Sequence, residues 1–180
     1  MRLEDALADH PALAARLAAL GVTAAQLEAS VRADADGLRG DRMMIERAGD
    51  GALDVVRAAF GVPRVAALAD LEARITALGV ARIVGWDATR GGVKLYANAS
   101  DAPARVREAL GAHVVGVNAF ADGTVEIKRS PQRGDAAGLG PAAERLVAAA
   151  GALAAGVVVS VDDAGAPRAC FVALRPTSSE

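Results

Sequence analysis

The chain has 180 residues, of which 53% are hydrophobic but only 3% aromatic, so its core must be built from Ala, Val and Leu. One cysteine and two histidines exclude a disulfide framework, a thiolate metal cage and a classical zinc site. A net charge of −2 argues against a protein whose main task is gripping nucleic-acid phosphates.

The length fits one domain, or two small ones packed together. The division expected here is a helical segment over 1–62 set on a sheet domain over 63–180. The opening Met1-Arg2-Leu3-Glu4-Asp5 makes a poor signal peptide. The longest uncharged run, Leu146 to Val161, falls short of the roughly 18–20 residues a spanning helix needs. A cytoplasmic protein with no membrane and no nucleic-acid partner is expected.

In chain order, His10 to Leu20 carries Leu13, Leu17 and Leu20 at helical spacing and stops at Gly21. Thr23 is expected to cap a second helix running through Val31, because Leu27 and Val31 stand four apart. Arg42 to Arg47 suits either a short strand or a helical turn. Leu53 to Phe60 reads as a helix ended by Gly61 and Pro63. Val65 to Leu78 reads as a better one, with Leu68, Leu71, Ile75 and Leu78 on one face and Gly79 as terminator.

Beyond this point a unit repeats: a helix, a strand, a glycine-containing turn and a second strand. The strand pairs are Ala81–Trp86 with Val93–Ala97, His113–Ala119 with Thr124–Arg129, and Val157–Val161 with Arg168–Leu174. Ser130 to Gly140 is rich in Gly and polar residues and reads as a loop. Ser100 or Asp101 is placed to cap the second unit's helix. The fold class expected is α+β: repeated αββ units form an antiparallel sheet of at least six strands, open or a partial barrel. Helices cover one face, and the N-terminal third is helical.

Side chains alternate between faces along a strand. Counting three and five residues on from Gly91, Gly123 and Gly165 gives Lys94 and Tyr96, Glu126 and Lys128, Arg168 and Cys170. The intervening residues are apolar. One face is thus buried under helices, while the other gathers Lys94, Tyr96, Glu126, Lys128 and Arg168. These lysines are the chain's only two. Two ammonium groups on a rigid sheet, joined by Arg168, suit a polyanion such as a diphosphate, each contact being a charge-assisted hydrogen bond. The same pattern also suits an ordinary solvated sheet face, with Glu126 paired cross-strand to Lys or Arg. Trp86 suits either stacking on an aromatic ligand or plugging the core. Cys170 reads as a buried inert thiol, and His10 and His113 as surface or capping residues.

Leu78-Gly79-Val80-Ala81-Arg82-Ile83-Val84-Gly85-Trp86-Asp87, followed by Gly92-Val93-Lys94-Leu95-Tyr96-Ala97, resembles the strand–turn–strand module of the ABBA aromatic prenyltransferases. Ser160-Val161-Asp162, with Gly165-Ala166-Pro167-Arg168-Ala169-Cys170-Phe171-Val172, resembles a later hairpin of that family. The resemblance implies a barrel of αββ units with helices outside and a polar, ligand-filled lumen. It implies transfer of a prenyl group from a diphosphate to an aromatic acceptor. Lys94-Leu95-Tyr96 matches the family's Lys-x-Tyr strand motif, in which Lys holds the diphosphate and Tyr shields the allylic cation; Lys128 matches more loosely. The expected catalytic residue is then Tyr96, and the expected substrate-binding residues are Lys94, Lys128, Arg168, Glu126 and Trp86. No metal ligand set is implied, and any magnesium would arrive with the diphosphate. The partner expected is a small-molecule ligand, with a homodimer through the sheet edges closing the open strands. The alternative is a non-catalytic oligomeric scaffold, or a small-ligand-binding protein, using the same sheet.

Overall fold

A computed structural model describes residues 2–34, 37–98, 103–109, 116–129, 135–152, 156–162 and 164–173. The elements are α1 (Leu3–Ala6), α2 (Pro11–Ala19), a 3-10 turn (Ala24–Gln26), β1 (Leu27–Asp34), β2 (Gly37–Ile45), α3 (Ala52–Ala59) and α4 (Ala66–Leu78). They continue with β3 (Ala81–Asp87), β4 (Gly92–Asn98), α5 (Ala104–Ala109), β5 (Gly116–Phe120) and β6 (Val125–Arg129). The last are α6 (Asp135–Leu139), α7 (Pro141–Ala152), β7 (Gly156–Val161) and β8 (Pro167–Ala173). Among the described residues the strands form one eight-stranded sheet in sequence order, each antiparallel to the next. The sheet is not closed: β1 and β8 are its two edges. The α+β class, with an open antiparallel sheet of αββ units, is as expected, with four hairpins where the repeat alone marks three. No helix among the described residues is long and apolar enough to cross a membrane.

The additional hairpin corrects the helix expected from Thr23 to Val31. The helix start is real: the Thr23 backbone N–H donates to Gln26 Oε1 at 3.0 Å. It lasts one turn, because the Gln26 amide then donates to the Glu46 carbonyl at 3.1 Å and ties the chain to β2. From Leu27 the chain pairs along β2, beginning with Leu27↔Ile45 and resuming at Arg32↔Arg39 after a register shift between Ser30 and Arg32. β2 in turn pairs with β3 from Arg42↔Asp87 to Ile45↔Val84, so the ambiguous Arg42 segment is a strand. Long-range pairing overrides the weak helical spacing of Leu27 and Val31. The N-terminal third therefore contributes strands as well as helices. Part of the expected loop at 130–140 is α6. The cap expected at Ser100 or Asp101, the His113 position and the Cys170 side chain lie outside what is described.

One face of the sheet is the core. Leu13 and Leu17 of α2, Leu53 and Val56 of α3, and Leu68, Leu71 and Ile75 of α4 bury themselves against Ile45, Val84, Trp86, Val93, Leu95 and Val117. These alternate along β3 and β4 as a half-buried antiparallel strand requires. Each such large side chain contributes roughly 1.5–3 kcal/mol relative to exposure. Trp86 belongs to this layer, stacked on Phe60 with centroids 6.2 Å apart, and Phe60 meets the His10 ring edge-on at 5.6 Å. Gly79, at φ 62, closes α4 where a side chain would be strained.

Candidate functional site

The opposite face is polar, and its side chains fall into rows set by the register. In one row Gly85, Lys94, Asn118 and Glu126 stand side by side across β3, β4, β5 and β6. In the next are Ile83, Tyr96, Gly116, Lys128 and Ser160. At the far end Arg42 pairs with Asp87, which pairs with Gly92. Lys94 and Lys128 thus share a face, two strands and one row apart. Strand spacing and rise put their Cα atoms about 12 Å from each other, within converging reach of two extended lysines.

These groups do not stand in open solvent. Lys94 is 2% exposed, Lys128 4%, Asn118 4% and Ser160 1%. Glu126 is the hub of one cluster. Its Oε1 accepts from Arg90 at 2.9 Å, and its Oε2 accepts from Asn118 at 3.2 Å and from Lys128 at 3.1 Å. Lys128 also donates to Ser160 Oγ at 2.8 Å, and the Tyr96 hydroxyl donates to Asn118 Oδ1 at 3.1 Å. Asp87 is the hub of a second cluster. Its Oδ1 accepts the Arg90 backbone N–H at 3.2 Å, while Oδ2 lies 3.4 Å from Arg42 Nε and 3.8 Å from Lys94 Nζ. Arg42 Nε is buried and has no hydrogen-bond partner among the described residues, so that contact is an ion pair only.

Glycine makes the packing of this face feasible. A Cβ at Gly116 would overlap the Tyr96 ring, and one at Gly92 would overlap the Phe120 ring. Each ring therefore lies across a neighbouring strand at the one residue type that leaves room. The Arg90 guanidinium covers Phe120 at 3.8 Å from the ring centre.

Burial sets the electrostatics. Desolvation, reinforced by the Arg42 charge and opposed by Asp87, pulls the Lys94 ammonium down to about 7. Desolvation also lowers Lys128, with Glu126 acting against it. Burial pushes the Tyr96 phenol up to about 12, so it stays neutral at any physiological pH. For Glu126 burial works upward, but the Arg90 hydrogen bond and the Lys128 charge outweigh it, and the carboxyl sits at about 2. The two clusters together hold four basic side chains (Arg42, Arg90, Lys94 and Lys128) around two carboxylates, Asp87 and Glu126. It can therefore receive negative charge.

Of the sequence-derived candidates, Lys94, Tyr96, Glu126 and Lys128 come together. Arg168 does not join them. The register slips between Ser160 and Val161, so that Ser160 pairs with Ala169 and Val161 with Pro167, leaving Arg168 at the irregularity. Its guanidinium is 65% exposed and holds Asp162 of its own turn at 2.7 Å. Trp86 does not join them either, since it is in the helix-covered core. Arg42, Asp87, Arg90, Asn118 and Ser160 enter the cluster without having been singled out. Asp87 and Asn118 are within reach of the same register count carried back across each turn, because Asp87 and Asn118 share a face with Lys94. Arg42 has no turn glycine in the repeat to anchor it.

No group of three or more potential metal-ligating His, Cys, Asp or Glu side chains occurs among the described residues. A groove of about 530 Å³ lies between α3 and α4, lined by residues such as Leu53, Arg57, Leu68 and Glu72. It contains none of the polar-face groups and is not the chemically interesting location. Comparison with protein-family models, with curated proteins and with solved structures finds no match for this chain.

Proposed function

We propose that the chain is a compact protein related to the ABBA prenyltransferases, binding an isoprenyl diphosphate on the polar face of its sheet together with an aromatic acceptor. The observation that carries this reading is the burial of Lys94 and Lys128 on one face, in clusters where four basic side chains share two carboxylates. Burying an ammonium costs free energy unless it is paired. A face that was merely wetted would leave its lysines in water. This favours anion binding over the scaffold reading, in which Lys128 serves its bonds to Glu126 and Ser160 but the weakly paired Lys94 has no task.

On this reading Lys94, Lys128 and Arg42 hold the diphosphate and Glu126 holds Lys128 and Arg90 in position. Tyr96, neutral and aromatic, lines the pocket beside the allylic carbon. The bond between that carbon and the diphosphate oxygen breaks with its electron pair leaving on the diphosphate. The acceptor ring carbon forms the new bond and gives its proton to the departing diphosphate. Cations fixed on strands stabilise the leaving charge without reorganising. No cofactor is called for beyond magnesium carried in by the diphosphate.

The test is a thermal-shift series with isoprenyl diphosphates and aromatic metabolites. A ligand that favours the folded state raises Tm. The expected result is a rise with the diphosphate that Lys94→Ala abolishes. No shift at millimolar ligand, or the same shift in the variant, defeats the reading.

A further inference from the structure

Asp87 is the carboxylate nearest Lys94, and it is already shared. One of its oxygens takes the Arg90 backbone N–H, and the other faces Arg42 at 3.4 Å as well as Lys94 at 3.8 Å. The other carboxylate of the two clusters, Glu126, is engaged by Arg90, Asn118 and Lys128. The charged groups acting on Lys94 are Arg42 on β2, Asp87 on β3, and Glu126 and Lys128 on β6, with the neutral Tyr96 phenol next on the same face of its own strand. Asn118 on β5, its cross-strand neighbour, is uncharged. An ammonium at this buried position shares one distant carboxylate oxygen with the Arg42 guanidinium and feels the Lys128 ammonium as well as the Glu126 carboxylate that Lys128 already occupies. A buried charge so poorly compensated neutralises instead. An incoming anion reverses the balance, since it supplies the negative charge that Lys94 lacks.

We propose that binding of a phosphoryl group carrying two or more negative charges to this face is accompanied by uptake of one proton at Lys94. The inference rests on the anion-binding reading above and adds its regulation. The Lys94 Nζ lone pair takes a proton from solvent and no other bond changes. Affinity for phosphorylated ligands then falls as the solution becomes alkaline. Above the midpoint of the free amine, near 7, the loss is roughly tenfold per pH unit until the midpoint of the complex is reached. Monoanions, which return less charge, gain less from the coupling.

The chain offers an unusually direct test, because Lys94 and Lys128 are its only lysines. Protein labelled with ¹³C at lysine Cε gives two lysine signals, assigned by the loss of one in Lys94→Met. If that variant does not fold, Lys128→Met gives the complementary assignment. The signals are followed against pH in free protein and with saturating inorganic pyrophosphate, whose own titration is invisible to this readout. The expected result is a Lys94 midpoint near 7 in the free protein that moves above 9 in the complex. A free-state midpoint already above 9 overturns the inference. So does a midpoint that pyrophosphate leaves in place although the Lys128 signal reports binding. If neither signal responds to pyrophosphate at any pH, the anion-binding reading itself fails.

Discussion

Replacing Lys94 by Met keeps the length of the side chain and removes its charge. The free protein should become more stable at neutral pH. The Lys94 ammonium is lowered from 10.5 to about 7 in the folded chain. Between those two values the unfolded chain binds a proton that the native state does not, so native stability rises with pH across that window. Taken at pH 7, the cost of keeping Lys94 in place is about 4 kcal/mol, at 1.36 kcal/mol per pKa unit. Met removes that cost and adds no orphan, because Asp87 keeps Arg42 and the Arg90 N–H. Overfilling is not an issue between side chains of such similar length. Urea unfolding followed by the fluorescence of Trp86, the single tryptophan, measures the effect. Wild type should gain stability from pH 7 to 9 by roughly 1.4 kcal/mol per unit, and Lys94→Met should lack that slope. The two should differ most at pH 7 and below, by several kcal/mol. A variant no more stable than wild type at pH 7, or one that retains the slope, refutes the reasoning about how this amine is buried.

Glu126→Gln leaves Arg90, Asn118 and Lys128 facing an uncharged amide. It should cost about 3 kcal/mol in denaturant unfolding, and a cost below about 0.5 kcal/mol would mean the hub carries no weight. With its carboxyl held at about 2, Glu126 stabilises wild type above its ordinary value of 4.5. That contribution is lost as pH falls from there towards 2, and the acid-unfolding profile of the variant should lack this segment. Gly116→Ala forces a methyl group into the Tyr96 ring. It should cost about 1–3 kcal/mol and alter the near-ultraviolet circular dichroism of Tyr96, and wild-type behaviour in both would contradict the close approach. Arg168→Ala removes only an exposed pair within the last turn. It should leave both Tm and pyrophosphate binding unchanged, and lost binding would bring the terminal hairpin into the site.

The parts of the molecule that could be read from its sequence are those governed by local rules. Leu68, Leu71 and Ile75 fall at helical spacing, Gly79 ends the helix, and all three leucine-like residues are buried. The turn glycines fix the phase of β4 and β6, and counting from them puts two lysines, a tyrosine and a glutamate on one face. The same count fails at Arg168, because an irregularity between Ser160 and Val161 changes the phase within a strand pair. Nothing in composition announces such a slip. β1 was hidden for another reason: a capping arrangement at Thr23 and Gln26 and an i, i+4 apolar pair are both satisfied locally by one helical turn. Only the ladder with β2, which brings together residues up to 18 apart in the chain (Leu27 with Ile45), decides against a longer helix. Arg42 reaches the site through the next ladder, which sets it opposite Asp87, 45 residues on in the chain, and is equally hidden from local rules.

The meander has no crossover: every strand lies beside its predecessor in the chain. Such a sheet can unzip from either margin, shedding β1 with β2 or β7 with β8, while the inner hairpins stay joined. The row from Gly85 to Glu126 occupies β3 to β6, midway between those margins. Fraying at the ends therefore erodes Arg42 and Ser160 first and reaches the buried amine last.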